Sequence, residues 1–196
     1  MMVGRQEGRF LELLVFATQA SSVLEIGTFT GYSAIAMAAG LGSEGSIISL
    51  EVDPHHAQVA RGNIAAAGLE SHISVIEGPA LRSLGELQGP FDLVFIDADK
   101  VTYDAYYEAV LPKLAQSIVG RAAELADGLS DDPVVAGRVL GEVAESFLNF
   151  GVVARREAEQ QAELKGAPDV LVTVPFFDAD IYDMGGLLRL GAQVWE

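Results

Sequence analysis

The chain has 196 residues, half of them hydrophobic, which is enough for one well-filled domain. Its net charge of −16 argues against nucleic acid as a partner, because phosphates would be repelled. Cysteine is absent, which rules out disulfides and thiolate chemistry and leaves cytoplasm as the default compartment.

The first segment, Met1 to Ala20, reads as a helix whose apolar face is Phe10, Leu11, Leu13, Leu14 and Phe16, behind polar Arg5, Gln6 and Glu7. Phe10 to Phe16 is too short for a signal or a membrane span, so no membrane partner is expected. The mean hydropathy of +0.30 instead suggests a buried parallel sheet and an apolar face suited to a homodimer. Val23 to Ile26 is a first strand, followed by a glycine-spaced turn and a helix over Ser33 to Leu41, closed by Gly40 and Gly42. Ser46 to Leu50 is a second strand ending at Glu51, and Pro54 opens a helix through Ala67 with Gly68 as its stop. His72 to Ile76 is a third strand, and Gly78-Pro79-Ala80 turns into a short helix. Phe91 to Ile96 is a fourth strand ending at Asp97, and Tyr103 to Leu114 is helical.

This alternation predicts an α/β fold, a Rossmann-like open and mainly parallel sheet with flanking helices, over residues 1–115. Ligands of such sheets sit at the carboxyl ends of the strands, and Glu25, Glu51 and Asp97 fall at three of those ends. Residues 116–196 form a largely helical extension carrying one further strand. Gln116 to Gly128 is helical, and Asp131-Asp132-Pro133 starts a long helix in which Val135, Val139, Val143 and Phe147 make an apolar stripe. Gly166 and Pro168 stop that helix, Asp169 to Pro175 is a strand, and Asp178 to Val194 holds a loop and a terminal helix. A parallel pairing of that strand with the fourth would bring Asp178 and Asp180 toward Asp97.

The turn after the first strand carries the chemistry. Gly27 and Gly31 allow backbone to approach a ligand where a Cβ would collide, and amides at the start of the next helix, at Tyr32 and Ser33, carry partial positive charge. The spacing is Glu25-x-Gly27-x-x-x-Gly31, not the Gly-x-Gly-x-x-Gly of a dinucleotide site. His55, His56 and His72 lack a mutual ligand spacing and read as surface residues; Tyr103, Tyr106 and Tyr107 could line an aromatic acceptor pocket, although their helical spacing suits core and rim better.

Glu25 to Ser33, the Glu51-x-Asp53-Pro54 acid and Phe91 to Lys100 together resemble class I S-adenosylmethionine (SAM) methyltransferases of the catechol/caffeoyl-CoA O-methyltransferase type over about residues 3–113. The resemblance implies transfer of a methyl group from SAM to a hydroxyl of a small, aromatic acceptor. It places Glu25, Gly27, Phe29, Gly31, Tyr32, Ser33, Glu51, Gly78, Ala80 and Asp97 around SAM, with Glu51 on the ribose hydroxyls. It implies Mg²⁺ or another divalent cation on Asp97, and Lys100 as the base. The chain departs from the family after Leu111-Pro112-Lys113-Leu114: Ala115-Gln116-Ser117-Ile118 stands where a glycine turn and a fifth strand ending in an aspartate-asparagine pair would complete the metal site. Asp178 and Asp180 are the candidate replacements. The tail, notably Phe147 to Phe150 and Val174 to Asp183, is similar to the C-terminal part of arsenite/anion-transporting ATPases, although no phosphate-binding Gly-x-x-x-x-Gly-Lys loop exists in the chain. Two alternatives to catalysis follow: a SAM-binding protein without turnover, and an ATPase-related interaction module acting through the tail.

Overall fold

A computed structural model describes residues 3–127 and 132–164. Met1–Gly151 forms one compact unit and Val152–Glu196 a second; the described residues of the second, 152–164, are helical. The elements of the first unit are α1 (Arg5–Ala17), β1 (Ser22–Ile26), α2 (Tyr32–Ala38), β2 (Ser46–Glu51), α3 (Pro54–Ala66), β3 (Ile73–Glu77), α4 (Ala80–Glu86), β4 (Leu93–Ile96), a 3₁₀ turn (Lys100–Thr102) and α5 (Tyr103–Asp127); α6 (Pro133–Leu164) starts there. The strand expected at Val170 to Val174, the terminal helix, Asp178, Asp180 and most of the ATPase-like tail lie outside the described residues.

The four described strands run parallel in the order β3-β2-β1-β4, the doubly wound arrangement expected from the alternation of strands and helices. β1 lies inside the sheet, and its apolar run is buried on both faces. Val23 joins Leu11, Val15, Ala34, Met37, Ile47 and Ile64 on one face, while Leu24 and Ile26 join Leu50, Leu84, Phe91 and Val110 on the other. Each such side chain contributes about 1.5–3 kcal/mol on burial. Because every strand points the same way, Ile26, Glu51, Glu77 and Ile96 end on one edge of the sheet.

Two expectations change. Part of the apolar face expected for α1 lies outward: Phe10, Leu13 and Phe16 are 57%, 57% and 71% exposed, whereas Leu11 of that face is buried together with Gly8 and Val15. The reason is close helix packing. A Cβ on Gly8 would meet the Tyr32 ring at 3.0 Å, and one on Gly40 would stand 2.3 Å from the Glu12 carbonyl, so glycines rather than bulky residues mark the contact face. The Val135, Val139 and Val143 stripe of α6 is likewise exposed, and Phe147 lies among residues whose side chains are not described. The inward seam is Gly137, Gly141 and Ala144; a Cβ on Gly137 would stand 3.3 Å from Ala123, 3.4 Å from Ala122 and 3.5 Å from Ala126 of α5. α5 continues past Pro112 to Asp127. Ala-rich sequence after Ser117 favours helix, and no glycine interrupts the chain before Gly120.

Asp92, which the sequence does not single out, ties these parts together. Its Oδ2 accepts from the Ser21 and Ser22 amides (2.8 and 3.0 Å) and the Ser21 hydroxyl (2.9 Å) at the start of β1. Its Oδ1 accepts from the Ser117 hydroxyl (2.5 Å) and pairs with Arg121 (3.1 Å), both on α5. Burial raises the carboxyl's pKa, but the Ser117, Ser21 and Ser22 hydrogen bonds outweigh it and hold the group well below the ordinary carboxylate range. Asp92→Ala is expected to cost about 3 kcal/mol in urea unfolding at pH 7, since it strands the Arg121 charge and several donors. A depressed folded pKa gives stability that is complete above the unfolded value near ~4 and is lost as pH falls through it. The gap between wild type and Asp92→Asn should therefore narrow from pH 5 downward.

Candidate functional site

The loop between β1 and α2 forms a sharp elbow. Gly27 donates to the Leu50 carbonyl (2.9 Å) and takes φ +101°, and a Cβ there would stand 2.2 Å from the Asp97 carbonyl oxygen. Only glycine allows β1 and β4 to close over each other at that point. Thr28 is buried beneath the turn, and Phe29 takes φ +49°, a left-handed conformation that costs a non-glycine residue of order 1 kcal/mol. Gly31 (φ +82°) closes the turn by donating to the Thr28 carbonyl (2.8 Å) and caps α2.

The Phe29 strain is held by Glu51. The Glu51 carboxylate accepts from the Phe29 amide (2.7 Å) through Oε2 and from the Asp53 amide (2.9 Å) through Oε1. Asp53 in turn caps α3 through the His55 and His56 amides, with Pro54 in the first turn as the sequence predicts. The Phe29 ring stands edge-on to His56, with centroids 4.7 Å apart. Glu51 is thus fixed in the lining of a cavity of about 930 Å³, a size that suits a small organic ligand.

Of the residues proposed from the sequence, Gly27, Phe29, Tyr32, Ser33, Glu51, Ala80 and Asp97 line this cavity. Gly31 and Gly78 (φ +135°) shape its loops without lining it. Glu25 lies behind the wall, fully buried, with the Ser49 hydroxyl donating to its Oε2 and no hydrogen-bond partner for Oε1. Burial pushes its pKa up to about 7; the charges of Asp97 and Glu51 act the same way, and the Ser33 and Ser49 hydroxyls oppose them. Lys100 is exposed in the 3₁₀ turn and does not line the cavity.

Sequence reading missed Thr28, Ser49, His56 and Asp99, and of the three tyrosines it offered for a pocket only Tyr106 lines this one. Asp99 caps the 3₁₀ turn at the Thr102 amide and hydroxyl (3.0 and 2.7 Å) and accepts from the Tyr106 phenol (2.9 Å). The Thr102 and Tyr106 hydrogen bonds hold the Asp99 carboxyl below its usual range, and burial together with Asp99 raises the Tyr106 phenol, which therefore stays a donor into the cavity wall. Strand-end logic reaches the acids, whereas Tyr106 is singled out from the three only once α5 folds back over β4. Among the described residues no Lys or Arg lines the cavity, and the ionisable groups that do are acids, Tyr32 and Tyr106, and His56. Such a surface favours a cation.

A cationic nucleoside such as SAM fits these residues on two observations: a buried carboxylate oxygen without a donor, and a rigid acid in the lining of the cavity. Among the described residues no group of three or more His, Asp or Glu side chains could hold a divalent cation, and Asp178 and Asp180 lie outside them.

A family model for O-methyltransferases matches residues 1–129. The chain belongs to the O-methyltransferase family. It is 42% identical over 165 residues to the catechol O-methyltransferase of Mycobacterium tuberculosis, covering 84% of this chain and 70% of that protein. The crystal structure of an O-methyltransferase from Bacillus cereus in complex with SAH (S-adenosylhomocysteine) superposes with a TM-score of 0.55 at 40% identity, covering 72% of this chain and 70% of that one. Caffeoyl-CoA O-methyltransferase 2 of Petunia hybrida is 35% identical over 57% of this chain, which spans about half, 48%, of that protein's length. The parallel sheet with its helices is thus the Rossmann-like methyltransferase fold.

In this O-methyltransferase the elbow is more sensitive than the other glycine turns. Gly27→Ala should cost about 3 kcal/mol or more in chemical denaturation, because the added methyl overlaps the Asp97 carbonyl. Gly78→Ala, at positive φ but with nothing within 4 Å, should cost only the ~1–2 kcal/mol of backbone strain. Equal losses in the two variants would mean that the elbow can open.

Proposed function

We propose that this chain moves a methyl group from SAM to a hydroxyl of a small, aromatic acceptor. The observation that carries the reading is the Glu51 carboxylate, immobilised by two amides at the end of β2 and standing on the cavity wall. Two oxygens held in one plane suit the paired hydroxyls of a ribose. Gly27, Phe29 and Gly31 shape the elbow beside it, Tyr32 and Ser33 begin α2, and Gly78 and Ala80 form the turn proposed to flank the adenine. Asp97, at the end of β4, faces the sulfonium side of the cleft.

The reaction is an in-line displacement. An acceptor oxygen attacks the sulfonium methyl, the carbon–sulfur bond breaks, and the neutral thioether product remains. A phenol has a pKa near ~10, so attack at neutral pH gains from a base that takes its proton. Lys100, three residues beyond Asp97 at the rim, is the residue proposed for that role, and its flexible stem suits reach from the rim. Metal assistance is left out of this scheme because the described residues supply only Asp97. The assignment of residues 1–115 to SAM binding and of 116–196 to a distinct C-terminal region stands as part of the proposal, as does the likeness of the tail to ATPases.

One observation favours a second reading, SAM binding without turnover: Lys100 does not line the cavity. Calorimetric titration and a methyl-transfer assay with catechol distinguish the two. Glu51→Ala should weaken SAM binding about tenfold or more through the loss of the ribose hydrogen bonds. Lys100→Ala should leave SAM affinity within about twofold and lower kcat by about 10²-fold. SAM binding with no transfer to catechol in the wild type would favour the second reading.

A further inference from the structure

Helix α3 touches the site twice, at its start and again further along. At the start, the Asp53 amide donates to Glu51 Oε1 (2.9 Å) and the Asp53 carboxylate caps the helix. Further along, Ala60 stands against the elbow: a Cβ on Gly31 would lie 3.3 Å from the Ala60 Cβ. Asn63 follows three residues later, on the same side of the helix, and its side-chain amide donates to the Thr30 carbonyl (2.9 Å). Ala57, Ala60 and Ile64 are buried, whereas Asn63 is exposed beside them.

These contacts close a ring. Glu51 holds the amides of Phe29 and Asp53, Asp53 begins α3, and Asn63 of α3 holds Thr30, the residue after Phe29. Phe29 is the strained member, at φ +49°, and the extended and right-handed regions lie lower for it. Relaxation of the Phe29 backbone would swing the Thr30 carbonyl away, so a hydrogen bond to that carbonyl resists it. An exposed hydrogen bond adds little to global stability, but this one acts on a single strained residue.

We propose that Asn63 is a positioning residue for methyl transfer: without touching the ligand, it braces the elbow at Thr30 and so keeps the Phe29 amide on Glu51. The proposal rests on the SAM reading of the cleft. Without the brace, Phe29 leaves its left-handed conformation part of the time, and Glu51 then loses one of the two amides that fix its plane. A carboxylate free to turn cannot hold two ribose hydroxyls at once, so the cost falls on SAM binding. The proposed base, Lys100, belongs to the 3₁₀ turn after β4, so kcat at saturating SAM is untouched.

Three measurements on Asn63→Ala test this. In the ligand-free protein, hydrogen exchange at the Phe29 amide should quicken about fivefold, while β1 amides such as Leu24 keep their wild-type rates. The SAM dissociation constant from titration calorimetry should rise about fivefold, the loss expected of one hydrogen bond, with KM for SAM raised and kcat unchanged. In a Glu51→Ala background the same substitution should alter SAM affinity by less than about twofold, because the carboxylate through which Asn63 acts is gone. An unchanged Phe29 rate, faster exchange throughout β1, or equal losses of affinity with and without Glu51 overturns the inference and leaves the SAM site intact. Failure of the wild type to bind SAM overturns the SAM reading, and the role in methyl transfer with it. If Asn63→Ala does not fold, Asn63→Asp, which keeps the shape but at neutral pH has no proton to donate, takes its place in all three.

Discussion

The fold and the site depend on one close approach, where the backbone at Gly27 passes over the carbonyl of Asp97. Two parallel strands end there with no side chain between them, and the chain turns at once into the elbow. Because that contact fixes the elbow's height above the sheet, the Phe29 amide arrives within 2.7 Å of Glu51. Strain at Phe29 is then offset by a charge-assisted hydrogen bond, and the carboxylate is immobilised by the same contact. Backbone geometry at one residue and side-chain placement at another, twenty-two positions further on, are thus a single arrangement.

At the opposite end of the sheet a second carboxylate has a different role. Asp92 gathers the start of β1, the entry to β4 and helix α5 around one charge, paired with Arg121 and fully supplied with donors. Asp92 is comfortable as an anion, whereas Glu25 is not. The contrast lies in surroundings rather than in residue type: serines and an arginine surround Asp92, while two acids stand near Glu25. A well-satisfied acid stabilises a fold, and a buried, poorly satisfied one has its pKa pushed up instead.

The cleft is acidic, lined by no Lys or Arg among the described residues, and placed where open parallel sheets take their ligands. Those features suit a compact cation with a sugar. They do not assemble a divalent-metal site among the described residues, so the O-methyltransferase framework is present here with one of the family's expected catalytic devices unaccounted for.

Much of this was legible in the sequence because it is local. Strand and helix alternation, the cap at Asp53, the stop at Gly68 and the elbow glycines depend on neighbours within a few residues, so propensity and spacing report them. Acids at strand ends could be read for the same reason, once the strands were placed. The inward faces of α1 and α6 could not be read, because hydrophobic residues mark a core only where helices keep an ordinary distance. Here Gly8, Gly40 and Gly137 mark close contacts, and Phe10, Leu13 and Phe16 of α1 and the valine stripe of α6 turn outward while Leu11 and Val15 stay in the core. Nor could the sequence separate Glu51 in the cavity lining from Glu25 behind the wall. Both close an apolar run, and only the pairing of β1 between β2 and β4 decides which carboxylate meets the ligand and which is buried with an oxygen unpaired.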